Sequence, residues 1–433
     1  MQIKTLLFLS FVGLFSVFSY SNVYTVTISD GNSTAPGSLR DAVQSAIANL
    51  GSDQIRFQLA GGTTINSWGG LDLGPSGSDI TINGFSLVDG LPITFGFSVY
   101  SKATNNTFKG LNFVTSNNSI EISGGNNTID SCSFFVSGWG QNAVWIKGGN
   151  NSIVTNSTFS GSQQHAVSIE VGGGHTIDNC SATNIKDVAF IARGTGGNVF
   201  SNCSASEGNH NGFGLLSKDN IIEDCTAYNN DKSGIAIDNS TGQGNGNIIR
   251  RNKVFGNNQV FYMGASKPLY DQSAIFSNGP NTEIYDNYVY DNAAHGVMIH
   301  GAFAAGAIVN DNTIGRDDLG NELGNGWNGV YIHGANGAIV ADNVVVNNGY
   351  GASHNSYFMP ESVSGIRIET VTSGTVQNNY VGTDANKINA GNAFDGITLY
   401  TNTIGVDITG NVSCNNGYYD FDNNTSHSGW NGS

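Results

Sequence analysis

Twelve short segments between residue 108 and the end of the chain can be laid over one another. They begin Phe108-Lys-Gly-Leu111, Ile129-Asp-Ser-Cys132, Val154-Thr-Asn-Ser157, Ile177-Asp-Asn-Cys180, Phe200-Ser-Asn-Cys203 and Ile222-Glu-Asp-Cys225. They continue with Ile249-Arg-Arg-Asn252, Ile284-Tyr-Asp-Asn287, Val309-Asn-Asp-Asn312, Val340-Ala-Asp-Asn343, Val376-Gln-Asn-Asn379 and Ile408-Thr-Gly-Asn411. The fourth residues are separated by 21 residues at the tightest and 36 at the widest. A fixed apolar core with variable excess between repeats is the pattern of a solenoid, in which each turn buries the same contacts and loops swell between them.

Within each repeat the residue two beyond the fourth position is usually apolar again, as at Phe134, Phe159, Val254, Val289, Ile314, Val345 and Val381. That alternation is a strand with one face inward. A second strand follows, generally opened by Gly, as in Ser233-Gly-Ile-Ala-Ile-Asp238, His295-Gly-Val-Met-Ile-His300, Asn328-Gly-Val-Tyr-Ile-His333 and Ser364-Gly-Ile-Arg-Ile-Glu369. Two or three short strands per turn define an all-β parallel β-helix of about 12 turns; the helices and Leu spacing of a leucine-rich repeat are missing. Low charge, 12%, with 39% hydrophobic residues argues against disorder, and 59 Gly among 433 residues supply the turns.

Residues 1–21 read as a secretory signal, with Lys4, an apolar run from Leu6 to Phe18 and cleavage after Ser21. The expected product is exported, to the medium, periplasm or cell surface, with no membrane span once the signal is removed. Residues 22–107 read as an N-terminal cap and first turns: a strand at Val23–Ile28 precedes an amphipathic helix from Leu39, N-capped by Ser38. The β-helix repeats occupy 108–433, continuous with that cap, and the tail from Asn423 has no obvious capping pattern. With 17 basic against 33 acidic residues, a nucleic acid or an anionic membrane is disfavoured as partner. Cys180, Cys203 and Cys225 on successive turns read as a buried thiol stack, since parallel inward side chains are misdirected for a disulfide.

The repeat and the opening Gly37-Ser-Leu-Arg-Asp-Ala-Val43 resemble the pectate-lyase-like superfamily of right-handed parallel β-helices, over essentially residues 23–425. The resemblance implies a secreted carbohydrate-active protein: a lyase, epimerase or glycoside hydrolase, or a non-catalytic adhesin that binds glycans. The chain carries neither the polygalacturonase NTD…DD…RIK set nor the epimerase YGFDPH, so no catalytic residue is carried over from it.

Candidate chemistry comes from the alternation itself. Val297 and Ile299 inward leave Met298 and His300 outward, with Tyr331 and His333, Arg367 and Glu369, Thr398 and Tyr400, and Ala236 and Asp238 in the same two columns. His300 and His333 share an Ile-His-Gly-Ala setting one turn apart. A lyase acting on an acidic, uronic-acid-containing polysaccharide by β-elimination needs a carboxylate neutraliser (Arg367 or a cation), a base (His333 or His300) and an acid (Tyr331 or Tyr270). Glu369 completes the expected catalytic set. Lys267, Tyr270, His354, Tyr357, Trp327, Tyr400 and Asp238 are expected to bind substrate. Long insertions at 259–271, 316–327, 350–358 and 384–394 all enter between the same two strands and should wall one side of these columns. A hydrolase alternative pairs Glu369 with Asp238 or Asp271. Asp317, Asp318 and Asp384 offer loop oxygens for Ca²⁺, against the plainer reading of solvated acidic loops.

Overall fold

A computed structural model describes residues 21–49, 51–162, 164–240, 242–258, 273–350 and 363–423. The twelve aligned segments are twelve successive strands of one parallel sheet, and three earlier strands, Val23–Val26, Asp53–Phe57 and Ile80–Ser86, precede them. Their apolar residues pair without slippage, from Phe108↔Ile129 to Val376↔Ile408, and all twelve are buried. Two further parallel sheets of 14 strands each complete the coil. One runs through Ser133–Val136 and Thr158–Ser160; the other runs through Val144–Ile146, His295–His300, Val330–His333, Ser364–Glu369 and Asp395–Tyr400. We call these the first, second and third sheets. Inside, Phe113, Phe134 and Phe159 stack at 5.0 and 4.9 Å between ring centroids.

The bend from first to second sheet explains the amide-rich spacing. The residue before the fourth position of each segment is left-handed, for example Asn156 (φ 51), Asn179 (φ 48), Asp286 (φ 56) and Asn378 (φ 55), and Asn and Asp tolerate that region best after Gly. The next side chain turns inward and accepts the backbone N–H of the preceding turn. Asn252 accepts from Cys225, Asn287 from Asn252, Asn312 from Asn287 and Asn343 from Asn312, at 2.9–3.1 Å. A second ladder (Asn257, Asn292, Asn325, Asn348, Asn392) follows the second sheet. A third (Asn106, Asn127, Ser152, His175, Asn198, Asn220, Asn247) precedes the first sheet. These rungs satisfy buried N–H groups that the corners take out of the sheets.

Cys132, Cys180, Cys203 and Cys225 are free and buried, and burial pushes the Cys132 thiol up to about 12. In the native protein only Cys414, which is partly exposed, should react with a thiol reagent at neutral pH; five thiols should react in denaturant. Fast native labelling of more than one thiol would contradict the buried stack.

The helix, Leu39–Ala48, buries Leu39, Ala42, Val43 and Ala46 over the first turn. Ser38 Oγ accepts from Asp41 N, and Asp41 Oδ2 accepts from Gly37 N, a reciprocal cap. Among the described residues no helix is long and apolar enough to cross a membrane. The signal segment (all but Ser21) and the tail from 424 lie outside the described residues.

Candidate functional site

The third sheet presents its outer side through columns fixed by register. One column runs Asp238, Asn278, His300, His333, Glu369 and Tyr400, each half-buried. The neighbouring column runs Ala236, Phe276, Met298, Tyr331, Arg367 and Thr398. Alternation led us to expect Met298, Arg367 and Thr398 to be exposed, and here the structure differs. Met298 and Thr398 are completely buried and Arg367 is 7% exposed. Ala236, Phe276 and Met298 form a small apolar cluster on this outer side, with Tyr331 packed against it. Period-2 alternation fixes the side of the sheet, not whether that side meets water.

The expected cluster is brought together. The His300 and His333 rings stack at 4.9 Å and 6°, because their strands pair residue for residue. Tyr331 lies 6.0 Å from His333 between centroids and donates its hydroxyl to Glu369 Oε2 at 2.8 Å. Arg367 donates to the same oxygen through Nε at 3.2 Å and Nη2 at 2.9 Å. The guanidinium is flanked by the rings of Tyr400 at 4.1 Å and Tyr331 at 5.5 Å. Arg367 is thus committed to Glu369, not held out for a substrate carboxylate. Burial, then the neighbouring His333, lowers the His300 pKa, so that imidazole is neutral at neutral pH. Burial, then Glu369, raises the Tyr331 pKa and keeps the phenol protonated. His333 Nδ1 is buried and finds no hydrogen-bond partner among the described residues.

Three residues that the sequence reading passed over stand at the edge of this cluster. The corner into the third sheet turns Gly329, Gly365 and Gly396 towards the core, where an added Cβ would approach Val345 Cγ1 to 2.4 Å, Val381 Cγ1 to 2.5 Å and Ser413 Oγ to 2.1 Å. His295, Asn328 and Asp395, each just before an opening Gly, accept an N–H from the following turn: Asn328 N donates to His295 Nδ1 at 3.2 Å, Ser364 N to Asn328 Oδ1 at 2.5 Å, and Tyr419 N to Asp395 Oδ1 at 3.2 Å. The signal available was the residue before each opening Gly. His295 also packs on Trp327 and Tyr331 at 5.0 and 4.9 Å, so Trp327 is half-buried against the cluster. Burial drives the His295 pKa down to about 3, with the Arg367 charge adding to it.

The hydrolase pairing of Glu369 with Asp238 does not form. Four rungs separate them in the column, about 19 Å at the spacing of adjacent strands, against about 5–9.5 Å for a glycosidase pair. Asp271, Lys267, Tyr270, His354 and Tyr357 lie outside the described residues. The described insertions, 315–329 and 382–394, do enter at the corner between second and third sheets. Their carboxylates already have partners. Asp384 pairs with Arg316 Nη1 at 2.8 Å, Asp318 with Lys253 at 2.7 Å, and Asp317 accepts from Asn321 Nδ2 at 2.7 Å. Among the described residues no cluster of three His, Cys, Asp or Glu could hold a metal ion.

The Arg316–Asp384 pair ties two insertions across two rungs, with both side chains nearly buried. Removing one partner strands the other charge. Arg316→Ala is expected to destabilise the protein by about 3 kcal/mol, read as a lower denaturant midpoint; an unchanged midpoint would show the loops to be independent.

These coils define a right-handed parallel β-helix. A family model described as a right handed beta helix region matches residues 118–273. The structure is similar to the A-module of the mannuronan C-5 epimerase AlgE6 of Azotobacter vinelandii, at 14% identity over 94% of this chain and 97% of that one, with a TM-score of 0.50. It is also similar to the catalytic unit of the GH87 alpha-1,3-glucanase of Streptomyces thermodiastaticus strain HF3-3, at 13% identity over 94% of this chain and 69% of that one, with a TM-score of 0.50. At such identities the likeness shows the fold. No curated protein sequence matches the chain.

Proposed function

We propose that the protein is an exported polysaccharide-active enzyme, and that the His300–His333–Tyr331 cluster cleaves a uronic-acid-containing polymer by β-elimination. The observation that carries this reading is the stacked imidazole pair beside a phenol that burial keeps protonated. His333 takes the proton next to the substrate carboxylate and that electron pair becomes the new C=C bond. The C–O bond to the leaving sugar breaks, and its oxygen takes the Tyr331 proton. Glu369, held by Tyr331 and Arg367, fixes the phenol. The fold is shared with enzymes named as an epimerase and a glucanase, which supports a carbohydrate substrate without choosing the reaction.

The test is to follow ultraviolet absorbance of the unsaturated uronide with alginate, pectate, chondroitin and ulvan, with and without chelator. Absorbance on one polymer supports the lyase. Reducing ends without absorbance would replace it with a hydrolase, and binding alone with an adhesin. A mature N-terminus at Asn22 on the exported protein would verify the cleavage site. Because Glu369 fixes the Tyr331 hydroxyl and pairs with Arg367, Glu369→Gln is expected to lower kcat several-fold with KM little changed; an unchanged kcat would remove Glu369 from positioning the phenol.

A further inference from the structure

Far from this cluster, two tryptophans stand almost wholly in solvent. Trp68 is 96% exposed and Trp139 is 91% exposed. Both sit at the corner between second and third sheets, Trp68 between Thr64–Ile65 and Leu71–Asp72, Trp139 between Ser133–Val136 and Val144–Ile146. Three rungs part them, so their turns are about 14 Å apart along the coil axis. Their backbones are not loose. Trp68 N donates to Asn32 Oδ1 at 3.0 Å, and Arg40 reaches over from the capping helix to Ser67 Oγ and to Gly70 O. The Trp139 carbonyl accepts from Gln141 Nε2 at 3.2 Å, while Gln141 Oε1 accepts from Asn118 N at 3.2 Å. An indole in water is costly unless something covers it, and here each is presented on a pinned turn.

The surroundings select the occupant. The neighbours of both rings in the chain are Ser67, Gly69, Gly138 and Gly140, leaving the indole faces open amid hydroxyl and amide groups. A protein partner would need a contiguous apolar centre, and two indoles three rungs apart, each flanked by Ser or Gly, do not make one. A pyranose ring offers an apolar face of C–H groups bordered by hydroxyls, which matches a flat indole with polar neighbours. Further aromatic surface lies on the adjoining third-sheet strands. The Tyr100 ring covers Gly70, where an added Cβ would come within 2.7 Å of it, and Trp145 is half-buried under the Lys147 ammonium at 4.3 Å.

We propose that Trp68 and Trp139 form a second, non-catalytic binding platform for a polysaccharide chain lying along the solenoid axis. Trp145 is seven strands from His333 in the third sheet, about 34 Å, so the platform and the His300–His333 cluster contact different sugar units. The platform stands independently of the reaction assigned to that cluster.

The experiment is native affinity electrophoresis of the full chain in gels containing alginate, pectate or xylan. Wild type, the Trp68→Ala/Trp139→Ala double variant and His333→Ala are compared. The platform predicts that at least one polymer retards wild type and His333→Ala equally. It also predicts that the double variant loses about tenfold in apparent affinity per tryptophan while cleaving short oligosaccharides at the wild-type rate. No retardation by any polymer, or equal retardation of the double variant, would overturn it. Retardation lost only in His333→Ala would also overturn it, yet leave the catalytic reading standing. Unchanged retardation of His333→Ala with full cleavage would sink the catalytic reading and leave the platform.

Discussion

His333→Ala is expected to slow release of unsaturated product by about 10²–10⁴-fold, the usual contribution of a positioned proton acceptor. Binding of the polymer should change little. The argument is geometric. Pairing of Val330–His333 with His295–His300 stacks the two imidazoles, and the same strand carries Tyr331 two residues earlier. Tyr331→Phe removes the proton donor but leaves Glu369 on Arg367, and should cost about 10²-fold or more. Steady-state rates for the two variants, with thermal denaturation to check folding, decide the matter. Wild-type turnover in His333→Ala would remove the cluster from catalysis.

Acid should unfold this protein unusually steeply between pH 6 and pH 4. His175 and His295 are buried members of hydrogen-bonded ladders, and in each the Nδ1 lone pair accepts a backbone N–H, from Ser152 and Asn328 respectively. Protonation removes that lone pair. Burial holds the His175 pKa at about 4 and the His295 pKa at about 3. Unfolded, both titrate near 6.5. In this window the unfolded chain binds more protons than the native one, so stability rises with pH and is lost as pH falls from 6.5. Two such groups cost about 2.7 kcal/mol per pH unit, or roughly 5 kcal/mol between pH 6 and pH 4. Denaturant midpoints across that range measure the slope. His175→Asn supplies the neutral acceptor found elsewhere in its ladder and should remove about half of it; a slope unaffected by that variant would remove His175 from the acid sensitivity.

The fold was legible because a solenoid writes each contact many times. Ile129, Val154 and Ile177 fill one place in successive coils, and the Asn residues that replace Cys from Asn252 onward hydrogen-bond rung to rung at the corner. The juxtaposition of His300, His333, Arg367 and Glu369 followed from the same register. What the repeat does not carry is what lies over the outer side. Met298 and Thr398 were expected in water and are buried, and Arg367 is engaged by Glu369, since alternation knows only inward and outward. Distance was the other gap. Asp238 and Glu369 share a column, yet column membership says nothing of proximity, and four rungs keep them apart. Arg316 meeting Asp384 across two rungs had no periodic signal at all, because both lie in insertions that break the period.

The left-handed residue at each bend into the second sheet means that one backbone conformation, not one side chain, is what every coil must reproduce there. Asn, Asp, Gly, Ser131 and Arg251 all adopt it. A stretch mechanically pulled along the long axis would therefore load its hydrogen bonds in series, and give way coil after coil at similar forces, like links of equal strength. The turns clasped by Arg316 and Asp384 would be the place where that sequence of small yields pauses.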